Sequence, residues 1–288
     1  MSTEPTYHGV AVPMVSPFTP GGRIDEPAVE RIVSYLTGHR IAGIFPLGTT
    51  GESMSIHPED KVRLVECTVR AVAGRATVYA GISGNCMRES VEWSAAYKKL
   101  GVGAVVAHVP SYYPLSDEEI EKYFLRLADQ VHLPLVLYNI PVTTHHSISL
   151  DSIDRLRKHP NIVALKDSAG EPKRLTDLLQ RTGGRDGFPV LIGNSSVFTL
   201  GLKNGGVGLV PSGGHLCADL YQSMYEASVT QDWKIVERMQ EETDKVCVQY
   251  IKGRSLGQGL AVLKALLEKR EICGRTMLPP LLDYNGAV

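Results

Sequence analysis

Pro134-Leu135-Val136-Leu137-Tyr138-Asn139-Ile140 and Ile162-Val163-Ala164-Leu165-Lys166 are short, largely apolar runs. Runs of this length and composition read as strands of a parallel sheet covered on both faces. Working outward from them, six more lie at Gly9 to Val15, Gly43 to Leu47, Thr77 to Ile82, Ala104 to Val109, Pro189 to Ile192 and Val207 to Val210, which makes eight. Between most of them lie amphipathic stretches with helix-start signals, such as Ser116-Asp117-Glu118-Glu119 before Ile120 and His57-Pro58-Glu59-Asp60 before Val62. A spacing of about 30 residues suits a strand-helix-strand crossover. Eight such units predict an α/β fold closed into a (β/α)8 TIM barrel. A doubly wound open sheet is the alternative, but its fingerprint, glycines in a strand-to-helix turn with an acidic residue about 20 positions later, is missing after the first strand.

The interval between the seventh and eighth runs leaves only Ser195 to Lys203 for a helix, whereas the stretch after the eighth is too long for one barrel helix. Asp219 to Ser228, Trp233 to Tyr250 and Leu260 to Glu271 all carry helical periodicity, so additional C-terminal helices are expected, packed on the barrel or against another subunit. The organisation predicted is one domain, with the barrel core in 1–215 and the last barrel helix plus a C-terminal helical segment in 216–288.

At 288 residues and 43% hydrophobic composition the chain can bury a large core. Its 30 basic and 31 acidic residues are interspersed and leave a net charge of −1, which argues against nucleic acid as a partner. Cys67, Cys86, Cys217, Cys247 and Cys273 are scattered and odd in number, away from any metal or redox spacing. The polar start Met1 to His8 lacks the order of a secretion signal, and no apolar run reaches membrane-spanning length. The expectation is a reduced, cytoplasmic protein without membrane, metal or cofactor.

Strand alternation places Ile162, Ala164 and Lys166 on one face and Val163 and Leu165 on the other. With the bulkier pair against the helices, Lys166 points into the barrel near its C-terminal mouth, where the chemistry of such barrels resides. A buried ammonium needs a charge partner or must give up its proton. Snorkelling to solvent or pairing with Asp167 is the bland reading; a neutral amine is a nucleophile for a carbonyl carbon. On the neighbouring strand Pro134, Val136 and Tyr138 share a face, so the Tyr138 phenol reaches the same mouth, either as a packed core tyrosine or as a proton shuttle. After the second strand, Gly48-Thr49-Thr50-Gly51-Glu52-Ser53 combines glycines with hydroxyls in a turn whose N–H groups suit a carboxylate, although the same residues are ordinary turn formers.

Taken together, Gly43-Ile44-Phe45-Pro46-Leu47-Gly48-Thr49-Thr50-Gly51-Glu52-Ser53, Tyr138-Asn139-Ile140-Pro141 and Ala164-Leu165-Lys166-Asp167-Ser168 resemble the signatures of the dihydrodipicolinate synthase and N-acetylneuraminate lyase family. The resemblance covers nearly the whole chain. It implies that Lys166 forms an imine with pyruvate or another 2-oxo acid and that Tyr138 is the acid and base. It also implies that Thr49 relays protons, that the turn with Thr50 grips the pyruvyl carboxylate, and that the Val210 carbonyl lies near the lysine. The family places a neighbouring subunit's tyrosine beside the relay threonine; in Pro110-Ser111-Tyr112-Tyr113-Pro114 the match is Tyr112, with Tyr113 as substitute and Ser111 where the first tyrosine usually stands. A homotetramer with a shared active site is the implied assembly.

One departure bears on substrate. Dihydrodipicolinate synthases usually carry an arginine after the tyrosine motif to hold the carboxylate of aspartate semialdehyde, and that position here is Thr143. A threonine lacks the bidentate geometry of a guanidinium. The reading favoured is therefore an aldolase for a 2-oxo-3-deoxy sugar acid or related hydroxy-oxo acid, with the synthase as alternative. A Schiff-base dehydratase and a catalytically silent 2-oxo acid binder are further alternatives. Adjacent His145 and His146 are expected to be polar loop residues rather than metal ligands, His108 and His215 to be packed or solvated, and the glycines around the last strand to serve tight turns.

Overall fold

Eight parallel strands pair in sequence order and close: β1 (Gly9–Pro13), β2 (Gly43–Phe45), β3 (Thr77–Gly81), β4 (Ala104–His108), β5 (Leu135–Asn139), β6 (Ile162–Asp167), β7 (Val190–Ile192) and β8 (Gly208–Leu209), with β8 returning to β1. The computed structural model describes residues 7–288, so the polar start read from Met1 falls outside the described residues up to residue 6. Helices α1 (Glu26–Gly38), α2 (Pro58–Val72), α3 (Met87–Leu100) and α4 (Asp117–Gln130) follow the first four strands. After β5 come the single turn α5 (Pro141–Thr144) and α6 (Leu150–Leu156), and after β6 comes α7 (Pro172–Thr182). The short β7–β8 interval holds α8 (Phe198–Lys203), and the chain ends in α9 (Gly214–Val229), α10 (Trp233–Ile251) and α11 (Leu256–Lys269).

The start signals act as expected. The Ser116 side chain accepts from the Glu119 N–H while the Glu119 carboxylate accepts from the Ser116 N–H, a reciprocal cap for α4. His57 Nδ1 caps α2 with Pro58 in its first turn. Cys217 breaks helical geometry inside α9 (φ −151°), so regular helix resumes near Asp219, where periodicity in the sequence begins.

The core has two layers. Leu135, Leu137 and Leu165 face the helices, while Ala11, Phe45, Tyr79, Val106, Val136, Tyr138, Ala164 and Leu191 fill the barrel. Simple alternation misplaces one pair. Ile162 packs outward and Val163 against the interior, because the β5–β6 register jumps between Leu135 and Val136, pairing them with Ile162 and Ala164. The extra residue is Val163, and a bulge of this kind reverses the facing of what precedes it. Ala164, Leu165 and Lys166 lie beyond the irregularity and keep their expected faces.

His215 is wholly enclosed: its Nε2 accepts the Val15 N–H (3.1 Å) and its Nδ1 donates to the Ser212 carbonyl (2.8 Å). Burial pulls its pKa from 6.5 down to about 4. Since the unfolded chain binds this proton first, the stability that neutral His215 allows is present above pH 6.5 and lost as pH falls towards 4. We expect a loss of about 3 kcal/mol across that window from this residue. Urea midpoints at about pH 7 and about pH 4.5 should differ less in His215→Gln than in the unaltered chain; equal differences would assign the acid sensitivity elsewhere.

Candidate active site

Strand register brings the mouth together. Tyr138 pairs with His108 on one side and with Lys166 on the other, so three polar side chains stand level on β4, β5 and β6. Lys166 is 5% exposed, its Nζ 3.9 Å from the centre of the Tyr138 ring and 5.0 Å from that of Phe45. Among the described residues no carboxylate pairs with it. Asp167 points to the opposite side of β6, where its carboxylate accepts from Asn139 (2.9 Å), Arg174 (3.3 Å) and the Ala169 N–H (3.0 Å). Asn139 in turn accepts the Ile148 N–H. This buried bracket ties the ends of β5 and β6 behind the two residues that face the cavity, and it rules out the Lys166–Asp167 pair.

Space beside the lysine depends on Gly193, just after β7. A Cβ there would lie 2.1 Å from Ser168 Oγ and 2.9 Å from Lys166 Cε, so any larger residue would push the amine out of line. Val210 follows β8 and lines the same apolar interior as Lys166, its N–H bound to the Ile192 carbonyl (2.8 Å).

Thr49 arrives from the loop after β2, its Oγ1 3.3 Å from the Tyr138 hydroxyl. Within that loop the N–H groups of Gly51, Glu52 and Ser53 fold back onto the carbonyls of Gly48 and Thr49, while those of Thr49 and Thr50 make no hydrogen bond among the described residues. The concavity expected of the whole turn thus narrows to two donors at the threonines. Thr50 itself is buried.

Thr49 opens onto a cleft of about 260 Å³ that also reaches Ser53, His108, Ser111 and Thr143, and runs outward along Met54, Leu256, Leu260 and Leu281. Thr143 sits on α5 with its hydroxyl donating to the Ile140 carbonyl (3.3 Å), and no arginine or lysine lines this cleft. Tyr112 is not brought to the site within the chain: it is 77% exposed, edge-on to Tyr113. His146 bonds through Nε2 to the Tyr113 carbonyl, a loop contact as expected, and no cluster of His, Cys, Asp or Glu among the described residues could hold a metal.

His108, expected from the sequence to be packed or solvated, and Phe45, given no role there, also belong to the site. His108 lies edge-on to Tyr138 at 6.1 Å, with Nδ1 on the Val109 carbonyl, and burial lowers its pKa. Phe45 meets Tyr138 edge-on at 6.3 Å. His108 stands two residues beyond the interior Val106, so alternation along β4 carried the signal for it.

A closed parallel barrel with a lysine, a phenol and a threonine hydroxyl converging at its C-terminal mouth defines a (β/α)8 enzyme of the aldolase and lyase type. The profile of the Dihydrodipicolinate synthetase family matches residues 6–286. A 4-hydroxy-tetrahydrodipicolinate synthase of Staphylococcus carnosus is 32% identical over 238 residues, which are 81% of this chain and 80% of that protein. The dihydrodipicolinate synthase structure from Bacteroides thetaiotaomicron superposes with a TM-score of 0.92 at 26% identity, covering 98% of this chain and 95% of that one. One from Acinetobacter baumannii, solved with pyruvate, shares the fold at a TM-score of 0.89 and 23% identity, covering 96% and 94%. The chain belongs to the dihydrodipicolinate synthetase family.

Proposed function

We propose that this enzyme forms an imine between Lys166 and pyruvate or a related 2-oxo acid and makes or breaks the adjacent carbon–carbon bond, with Tyr138 moving the protons. The observation that carries the reading is the Lys166 amine, enclosed by aromatic and aliphatic walls, without a counter-charge and next to a phenol hydrogen-bonded to Thr49. The attacking amine must be uncharged, and among the described residues no carboxylate pairs with it. Attack on the ketone carbon gives a carbinolamine. Its hydroxyl leaves as water once a proton reaches it, and Tyr138 is placed to deliver that proton and to recover one through Thr49. Tyr138 then takes the proton of the substrate hydroxyl beyond the methylene, the iminium acts as electron sink as the bond to that carbon breaks, an aldehyde leaves and an enamine remains; protonation of the enamine carbon and hydrolysis of the iminium free pyruvate and Lys166. The unbonded N–H groups of Thr49 and Thr50 are the proposed grip on the 2-oxo acid carboxylate, and Val210 lines the interior beside Lys166.

For the second half of the substrate we favour a 2-oxo-3-deoxy sugar acid or related hydroxy-oxo acid, because Thr143 leaves the cleft without the guanidinium that would hold a semialdehyde carboxylate. The names of the relatives support the synthase instead. Pyruvate released from 2-oxo-3-deoxy acids in a coupled assay is the expected result; pyruvate consumed only in the presence of aspartate semialdehyde would make the chain a synthase. Loss of water without cleavage would mark a dehydratase. A cytoplasmic homotetramer completes the proposal, with the exposed Tyr112 serving a neighbouring subunit's Thr49.

A further inference from the structure

Among the described residues, one ion pair with both side chains fully enclosed stands apart from Lys166: Glu52 and Lys264, 2.8 Å apart. Lys264, on α11, directs its three N–H bonds at the Glu52 carboxylate, the Ser16 carbonyl (3.0 Å) and the Thr276 carbonyl, above the Phe18 ring. The other Glu52 oxygen accepts the Leu278 N–H (3.0 Å). One ion pair therefore joins the loops after β1 and β2, helix α11 and the segment that follows it.

Glu52 is also the hinge of the threonine turn. Its N–H donates to the Thr49 carbonyl (3.2 Å), its backbone is left-handed (φ 54°), and the Gly51 carbonyl beside it accepts from Ser16 Oγ (2.6 Å). A left-handed residue other than glycine persists only where its surroundings hold it. Stability alone is a weak reason for the charges, since apolar side chains in such a place commonly do as well; what a charged, hydrogen-bonded pair adds is direction.

We propose that Glu52 and Lys264 are positioning residues, through which the C-terminal helical segment sets where Thr49 and Thr50 stand relative to Tyr138 and the bound 2-oxo acid. This rests on the imine reading. It places the pair's effect on carboxylate binding and proton transfer, and not on the amine of Lys166, which is held by β6 and its own bracket.

Glu52→Gln, Lys264→Met and the double variant test it, with three readouts: thermal midpoint, borohydride trapping of pyruvate, and exchange of pyruvate methyl protons with deuterium, which needs enamine formation but no second substrate. The double variant, having no unpaired buried charge, is expected to fold near the unaltered midpoint and to trap pyruvate on Lys166 at saturation. Its exchange should show a KM for pyruvate raised and a kcat lowered, each by about tenfold, as displacement of a contact by a fraction of an ångström would produce. Exchange within twofold of the unaltered rate in any folded variant overturns the proposal, as does a double variant that regains rate together with stability. Failure of all three to fold makes the pair a determinant of the fold and overturns it too. Absence of trapping in the unaltered protein would instead strike the imine reading itself.

Discussion

Lys166→Ala is expected to lose the borohydride-trapped pyruvate adduct and to lower turnover by about four orders of magnitude or more, the scale on which enzymes fall when their nucleophile is removed. The loss should be one of chemistry and not of folding. Lys166 makes no hydrogen bond or ion pair among the described residues, and its neighbours are held by other contacts: Tyr138 by Phe45 and His108, and the strand end by the Asp167 bracket. Truncation should therefore cost at most about 2 kcal/mol, within the ordinary range for a single substitution. Peptide mapping of the trapped protein checks the assignment. An adduct at any other lysine, or an alanine variant that still labels, would falsify the imine at Lys166.

Tyr138→Phe should lower turnover by between about 10²- and 10⁴-fold, the usual contribution of a positioned acid and base. The ring stays, and with it the edge contacts to Phe45 and His108; only the hydroxyl 3.3 Å from Thr49 is removed. Pyruvate should still become trapped on Lys166, but slowly, because loss of water from the carbinolamine no longer has its proton donor. The effect belongs in kcat, with KM for pyruvate changed little, since the carboxylate grip lies on the threonine turn. Turnover like that of the unaltered enzyme would move the proton work elsewhere, and His108, buried beside the phenol with a lowered pKa, is the next group to test.

Much of this site was legible because a parallel barrel converts sequence into geometry with few choices. A strand's alternation decides which side chains face inward, and its C-terminal end decides which of those meet substrate. Tyr138 and Lys166 satisfy both conditions within runs apolar enough to be read without ambiguity, and their pairing across β5 and β6 follows once the strands are adjacent. Ile162 and Val163 show the limit of that rule. A one-residue bulge leaves no mark in a run of apolar residues, so alternation misplaces Ile162 and Val163, whereas from Ala164 to Lys166 it holds.

Composition and periodicity by themselves determined the number of strands, the helices between them, the C-terminal helical segment and the inward pair of lysine and phenol, because each depends on contacts within one element or its nearest neighbour. Only the tertiary structure decided what depends on distant segments. It turned Asp167 away from Lys166 towards Arg174, reduced the turn's available donors to Thr49 and Thr50, enclosed His215, and set Lys264 on Glu52 across 212 positions of sequence. The physical reason is that a charged or polar group takes its role from whichever partner shields it from water, and that partner is chosen by how the whole chain closes.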